Sequence, residues 1–201
     1  MRQIVRWLIL FLILFVGCLG IFSYLKIKNE PAIIEKKVTD EIVGLPYQIH
    51  DLDSAYYKSE FKNLKTVLTS ELVDDKVYAE TVSKMFVANL YTLDNKITKS
   101  DIGGLEFIAE SYKENFILNV SSTLYKYVET NIYNDREQEL PEVSGTEIIE
   151  SINSTFIIED NEYQSYEVSL KLTYKIDLGY ETNVKVILIK DENSIYVVGL
   201  E

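Results

Sequence analysis

The sequence predicts an α+β protein, with an N-terminal transmembrane helix followed by three helices packed on a curved four-stranded antiparallel sheet. Three observations lead to this fold class. Residues 7–25 are apolar and carry no charged side chain. Three later segments repeat apolar residues every three or four positions, which is the period of an amphipathic helix. The last part of the chain alternates apolar and polar residues, which is the period of a strand with one buried face.

The apolar run is the first predicted element. In helical form, residues 7–25 cover about 30 Å, which is the thickness of the hydrocarbon core of a bilayer. Aromatic side chains suit the membrane and its interfaces. The predicted anchor residues are Trp7, Phe11, Phe15, Phe22 and Tyr24. We therefore predict a short cytoplasmic tail at 1–6, an anchor at 7–25, and the lipid bilayer as a partner.

The flanking charges bear on the orientation of this anchor. Arg2 and Arg6 precede it, and several lysines follow it, so the positive-inside count is close to a tie. A very short leading tail and an acidic domain behind the helix favour an N-terminus inside the cell. The expected location is the cell membrane, single-pass, with the domain extracytoplasmic.

Two other interpretations of the apolar run stay open. A cleaved signal peptide has an apolar stretch of about 7 to 15 residues and a small-x-small site, and this run is longer and lacks that site. Residues 15–18 resemble a lipobox, in which Cys18 would be lipidated. Because residues 19–25 remain apolar, we favour the uncleaved anchor and keep the lipoprotein as an alternative.

Composition excludes several functions. Residues 27–201 carry 17 basic and 32 acidic side chains, which argues against nucleic acid as a partner. The only cysteine, Cys18, lies in the apolar run, so the domain has no thiol. The only histidine, His50, falls in the predicted stalk and not in the domain, so the domain of one chain is not expected to form a Ser-His-Asp triad or a multi-histidine metal site. We predict no catalytic residue, no metal and no cofactor, and a protein that is not an enzyme.

The segment from 26 to 53 is mixed in character, and Pro31, Gly44 and Pro46 break its periodicity. We predict a stalk here, with a short helical turn from Val38 to Val43. The extracytoplasmic α+β domain is predicted to occupy residues 54–201.

Three amphipathic helices open this domain. The first is expected to be capped by Asp53 or Ser54, and the second by Asp74 or Asp75, because short side-chain oxygens accept from free N–H groups of a first turn. The apolar positions are Tyr57, Phe61, Leu64, Leu68 and Leu72 in the first helix, Tyr78, Val82, Met85, Phe86, Leu90 and Leu93 in the second, and Leu105, Ile108, Tyr112, Phe116, Val120, Leu124 and Tyr127 in the third.

The turn before the third helix contains Asp94, Asp101, Gly103 and Gly104. Asp101 is expected to cap the third helix, and the two glycines permit a tight turn with positive φ. This local structural role is favoured over a ligand-binding loop.

Four strands close the domain. The first runs from 148 to 158, and the second, from 166 to 178, alternates apolar and polar residues over an unusual length. Gly179 marks a turn into a third strand at 180–188, and the turn from Asp191 to Ser194 leads to the last, at 195–200. Short turns between consecutive strands predict an antiparallel meander.

Helices followed by a long, bent antiparallel sheet resemble the nuclear transport factor 2-like (cystatin-like) domain, over residues 54–201. With one N-terminal transmembrane helix, the chain resembles the bitopic scaffold proteins of type IV secretion and conjugation machines. This resemblance implies protein binding, with other membrane or envelope proteins, or a second copy, as partners. Some soluble relatives are enzymes that use a carboxylate and a tyrosine, so a small-molecule binder or enzyme using the cone pocket is the alternative.

Tyrosines that fall outside the apolar repeats are candidates for a contact surface, because tyrosine is enriched at interfaces. These are Tyr56, Tyr91 and Tyr133.

Overall fold

A computed structural model describes residues 34–201, which form one compact unit. Its helices are α1 (Ala55–Leu68), α2 (Asp75–Tyr91) and α3 (Glu110–Ser122), with a 3₁₀ turn at Leu105–Phe107. Its strands are β1 (Val38–Glu41), β2 (Gln48–His50), β3 (Val143–Ile158), β4 (Asn161–Tyr174), β5 (Asn183–Asp191) and β6 (Ser194–Leu200). The predicted tail and anchor, with Cys18, lie outside these residues. Within 34–201, none of the helices combines the length and the apolar character that a membrane crossing requires.

The main sheet is an antiparallel meander in the order β3-β4-β5-β6. The longest pairing joins β3 to β4, from Val143 opposite Tyr174 to Ile158 opposite Asn161. Register shifts interrupt this pairing at two places in β3, and such bulges increase the twist and curvature of a sheet. The structure therefore confirms three helices and a curved, four-stranded antiparallel sheet.

The alternating residues of the sheet face the helices. The buried apolar side chains of the last three strands are Tyr166, Val168, Leu170 and Leu172 of β4, Val184, Val186, Leu188 and Ile189 of β5, and Ile195 and Val197 of β6. The helix α2 packs against all four strands on one side and against α1 on the other. Its position between two layers explains why eleven of its seventeen residues are buried.

Side-chain caps fix where the first two helices begin. The Ser54 hydroxyl accepts a hydrogen bond from the Tyr57 N–H at 3.1 Å, so Ser54 caps α1. The Asp74 carboxylate accepts from the N–H groups of Lys76 and Val77, at 2.9 and 3.2 Å, so Asp74 caps α2. Each cap is one of the two residues that the sequence offered.

The predicted third helix is shorter than its apolar repeat. Instead of one helix over 105–127, the chain makes the 3₁₀ turn, becomes extended at Ile108 and Ala109, and forms α3 only from Glu110. Ile108 forms a parallel bridge with Val197 of β6, and the Ala109 N–H donates to the Val197 carbonyl at 3.4 Å. This contact with the sheet uses backbone groups that a continuous helix would need for itself.

The described part of the predicted stalk folds with the domain. Val38–Glu41 is a strand paired with β2, and not the predicted helical turn. Tyr47 is fully buried, and its hydroxyl donates to the Ile195 carbonyl at 2.9 Å while accepting from the Ile195 N–H at 3.1 Å. The compact unit therefore begins at Ile34, twenty residues before the predicted boundary at 54.

Candidate binding groove

A largely apolar groove of about 530 Å³ lies between α3 and the last strand, β6. Its lining residues are Leu90, Tyr91, Ile108, Tyr112, Asn115, Phe116, Asn119, Val120, Thr123, Leu124, Glu181, Val197, Val198, Gly199, Leu200 and Glu201. This lining contains two carboxylates and no lysine, arginine or histidine. Concave apolar sites with a few polar groups are typical binding sites.

The helix that covers the groove is lightly packed. Val120 is the only residue of α3 that is buried, and Leu118 is 63% exposed on its outer side. Phe116 provides one contact with the core, since its ring lies 6.0 Å from that of Phe86. Near the end of α3, the hydroxyl of Ser122 donates to the carbonyl of Leu118 at 2.9 Å, a bond that competes with the helical pattern. A helix held this weakly can shift at low cost when the groove is filled.

One end of the groove is acidic and aromatic. Tyr91, at the end of α2, and Glu181 line it, and Tyr174 and Tyr180 lie beside them. The rings of Tyr174 and Tyr180 are 6.4 Å apart, and the Tyr174 hydroxyl donates to the Glu181 carbonyl at 2.8 Å. Burial raises the pKa of Tyr91, and the negative charge of Glu181 raises it further. We call these four residues the acidic-aromatic corner.

The Glu181 carboxylate is held in place by the backbone N–H groups of the two residues that follow it. Its Oε1 accepts from the N–H groups of Thr182 and Asn183, both at 3.0 Å. The other carboxylate of the groove, Glu201, forms an ion pair with Lys185 at 2.5 Å. None of the ion pairs found within residues 34–201 includes Glu181. Glu181 is therefore the lining carboxylate whose charge is not balanced by the described part of the chain.

A second polar cluster lies inside the domain, next to the groove but not in it. The Glu106 Oε1 accepts from the Tyr57 hydroxyl at 2.8 Å and from the Asn89 amide at 3.2 Å, and Lys96 Nζ donates to the Asn89 Oδ1 at 2.9 Å. Burial raises the pKa of Glu106 and lowers the pKa of Lys96 to about 8. Lys96 is 1% exposed. Together these four residues connect α1, α2 and the loop between α2 and α3.

Glu106 and Tyr57 form a carboxylate and tyrosine pair of the kind that the enzyme alternative requires. Glu106 borders a second cavity, of about 720 Å³, at the start of α3. Its Oε1, however, is turned inward to two protein donors, and the Tyr57 hydroxyl also lies 3.1 Å from the Gln48 carbonyl. Because buried polar groups need such partners, this cluster has a sufficient structural role.

The three candidate contact tyrosines are not brought together. Tyr56 is half-buried on α1, with its hydroxyl 2.6 Å from that of Thr146. Tyr91 lies at the groove, and Tyr133 is 52% exposed in the loop between α3 and β3. Only Tyr91 therefore belongs to the candidate site.

The predicted cap of the third helix is wrong. Ala109 occupies the cap position of α3 and makes no side-chain hydrogen bond there. Asp101 instead accepts from the Ile97 N–H at 2.9 Å and pairs with Lys36 at 2.6 Å. Asp94, which is exposed, lies 3.8 Å from the guanidinium of Arg136. Both aspartates therefore contact other residues of the described chain.

Gly103 and Gly104 meet two different requirements of this turn, a close approach to α2 and a positive φ. Gly104 has a φ of +80°, which is the positive value expected at this turn. Gly103 lies against α2, where a Cβ would come within 2.3 Å of the Asn89 carbonyl oxygen. The turn therefore fits closely against the end of α2.

The groove was not identified from the sequence. Tyr112, Phe116 and Val120 were assigned to a core-facing stripe, and Glu181 was not singled out. The one local signal is Asn115 and Asn119, which are four residues apart and so place two amides along one side of the third helix.

Chemically, the groove offers apolar surface, tyrosine rings and one unbalanced carboxylate, which suit binding. Among residues 34–201, no group of three histidines, cysteines, aspartates or glutamates could hold a metal ion. His50 lies 3.5 Å from Asp53 and lines neither cavity. No protein-family model, curated protein or solved structure matches the chain.

Proposed function

We propose that this protein is a membrane-anchored, extracytoplasmic protein-binding or scaffold module that receives a segment of its partner in the groove beneath α3. The observation that carries the proposal is the groove itself, together with its lightly packed cover helix. Peptide segments bind in apolar grooves of this kind because their side chains replace water there. We expect an outward displacement of α3 to cost little, since Val120 is its only buried residue and only Tyr112 and Phe116 are partly buried against the core.

The membrane part of the proposal rests on the sequence. Residues 7–25 have the length and the apolar character of a single span. The acidic domain then lies outside the cell membrane, anchored by the first 25 residues.

The proposed setting is an envelope apparatus of the type IV secretion or conjugation kind. Its support is the order of anchor, helices and bent meander, which resembles the bitopic scaffolds with a nuclear transport factor 2-like domain. Other membrane or envelope proteins, or further copies of this chain, are the proposed partners.

Site-specific photo-crosslinking in intact cells tests the proposal. A photoreactive phenylalanine analogue replaces Asn119, an exposed residue of α3 that lines the groove, and, as the control, Leu72, which is 87% exposed in the loop between α1 and α2. We expect a discrete crosslinked protein from position 119 that is missing from position 72. Equal products from both positions, or none from position 119, would contradict a docking site in the groove.

Two further measurements test the location. Protease added to spheroplasts should cleave the domain while the protein stays in the membrane fraction. The mass of the mature N-terminus separates the anchor from the lipoprotein, because lipidation would make Cys18 the first residue. A soluble protein, or a domain protected from external protease, would contradict the proposed topology.

A further inference from the structure

From the acidic-aromatic corner we infer that the partner segment presents a lysine or arginine side chain, which binds between the Glu181 carboxylate and the rings of Tyr91, Tyr174 and Tyr180. This inference rests on the proposed function, because it specifies the chemistry of the segment that the groove receives. The partner is thus an apolar peptide segment with a basic residue at the end that meets Glu181.

The charges of the groove favour a cation over any other group. Its lining has no basic side chain, and the nearby Lys185 pairs with Glu201 and Glu167 and not with Glu181. An acidic partner would meet Glu181 with no compensating charge, whereas a basic side chain would neutralise it. Residues 27–201, with 17 basic and 32 acidic side chains, also attract a basic segment from a distance.

The tyrosines add a second reason. The electron-rich faces of aromatic rings attract lysine and arginine cations, and their apolar bodies pack against the methylene groups of these side chains. Tyr91, Tyr174 and Tyr180 are all half-buried, so each ring is supported by the core and keeps part of its surface open. A carboxylate beside three such rings is a suitable site for a cation with an apolar stem.

The corner is also held in shape before any ligand arrives. The hydrogen bond from Tyr174 to the Glu181 carbonyl fixes the ring against the chain, and two backbone N–H groups fix the carboxylate. A preorganised site loses less entropy on binding, which favours affinity. Arginine is favoured over lysine, because its planar guanidinium can stack on a tyrosine ring while it pairs with a carboxylate.

The apolar part of the partner segment has its own surface. From the corner, the groove continues along Phe116, Val120 and Leu124 on one side and Val197 on the other. The corner is therefore expected to select the charge and position of the segment, and the apolar walls to supply the remaining contact.

Two synthetic peptides test this inference on the full-length chain in nanodiscs of neutral lipid, with empty nanodiscs as the blank. Both are fluorescein-labelled leucine–serine repeats of the same length, and they differ only in a terminal arginine or glutamine. Fluorescence anisotropy at low salt should show tighter binding of the arginine peptide.

Substitutions then locate the effect. We expect Glu181→Gln to weaken the arginine peptide about two- to fivefold, as for one exposed ion pair, and to leave the glutamine peptide unchanged. Tyr91→Leu should weaken the arginine peptide by about twofold or more, through loss of the cation–π contact. The control is Glu71→Gln, which removes the same charge from an exposed site in the loop before α2, while Tyr91 lies at the far end of that helix.

The outcomes separate the inference from the function on which it rests. If both peptides bind equally and Glu181→Gln changes neither, the inference is overturned while the groove remains a peptide site. If neither peptide binds, the groove function fails and the inference fails with it. If Glu71→Gln weakens the arginine peptide as much as Glu181→Gln does, the attraction is that of the whole acidic domain, and the corner is not the site.

Discussion

The helices α2 and α3 have similar apolar repeats but different environments. Eleven of the seventeen residues of α2 are buried, compared with one of the thirteen residues of α3. Off its stripe, α2 carries small or apolar residues such as Ala79 and Val87, so most of the helix after its first turn can be covered. The corresponding positions of α3 carry charged residues such as Lys113 and Glu114, which keep that side in water.

This difference in burial suits α2 to stabilising the core and α3 to forming one side of a binding groove. A helix enclosed by the sheet and by α1 contributes to the core, where every lost contact is costly. A helix with one covered face contributes little to the core and can shift, which is what a groove beneath it requires. We expect substitutions in the two helices to change the free energy of unfolding by amounts that differ as strongly as the burial of the helices does.

The largest effect is expected at the centre of α2. Phe86 is fully buried, and its ring lies 6.3 Å from Phe107 and 6.0 Å from Phe116. Phe86→Ala should lower the free energy of unfolding by about 3–5 kcal/mol, because it removes a large apolar side chain and leaves a cavity. Urea unfolding of the full chain in mild detergent, followed by circular dichroism, measures this loss.

The matched change on α3 is Leu118→Ala. Because Leu118 is largely exposed, the free energy of unfolding should change by less than about 0.5 kcal/mol. A loss at position 118 comparable to that at Phe86 would mean that α3 is as firmly held as α2, and would remove the basis for a movable cover.

The next effect concerns the close contact between α2 and the turn that follows it. Gly103→Ala places a methyl group 2.3 Å from the Asn89 carbonyl oxygen, so the backbone must move. We expect a loss of about 1–3 kcal/mol in the free energy of unfolding, as for other overpacked sites. The control is Gly145→Ala on β3, where the nearest atom is 3.9 Å away and φ is not positive. Equal losses from the two substitutions would contradict the close fit at Gly103.

Local sequence patterns predict the features of the fold that depend on residues close together in the chain, such as helix caps and strands. Ser54 and Asp74 were identifiable as caps because a cap needs only its own first turn. The four strands followed from alternation, since one face of the sheet is covered by α2. The break at Ile108 and Ala109 was not predictable in this way, because its cause is the backbone of β6, about ninety residues later.

The groove was unpredictable for the same reason. Tyr91, Phe116 and Glu181 come from three distant parts of the chain, and no local pattern shows that they share a cavity. The apolar stripe of the third helix indicated that one face is covered. It did not indicate that a groove remains between this face and the last strand.

A smaller effect is expected from the buried charge at the end of α2. The pKa of Lys96 is lowered from its ordinary value of 10.5 to about 8, mainly by burial and also by the charge of Lys36, while Asp101, Asp53 and Glu106 act in the opposite direction. Between these two values the unfolded chain keeps a proton that the folded chain releases. The contribution of Lys96 to stability is therefore constant below pH 8 and rises above it, by up to about 1.4 kcal/mol per pH unit.

Urea unfolding of the original protein and of Lys96→Met at pH 7, 8, 9 and 9.5 measures this contribution. The original protein should gain stability relative to the variant only above pH 8. A difference in the free energy of unfolding that stays constant from pH 7 to 9.5 would show that folding does not lower the pKa of Lys96.

The smallest effects come from two ion pairs of equal length, one on each helix. Lys190 of β5 contacts Asp75 of α2 at 2.6 Å, and Lys113 contacts Glu110 within α3, also at 2.6 Å. The first pair is partly buried and joins the sheet to α2, whereas the Glu110 carboxylate is 87% exposed. We expect Lys190→Ala to cost about 1 kcal/mol and Lys113→Ala about 0.3 kcal/mol, because water screens the exposed pair more strongly. Adding 1 M NaCl should reduce the loss from Lys113→Ala toward zero and leave most of the loss from Lys190→Ala. A larger loss from Lys113→Ala than from Lys190→Ala would contradict the link between burial and the strength of these two ion pairs.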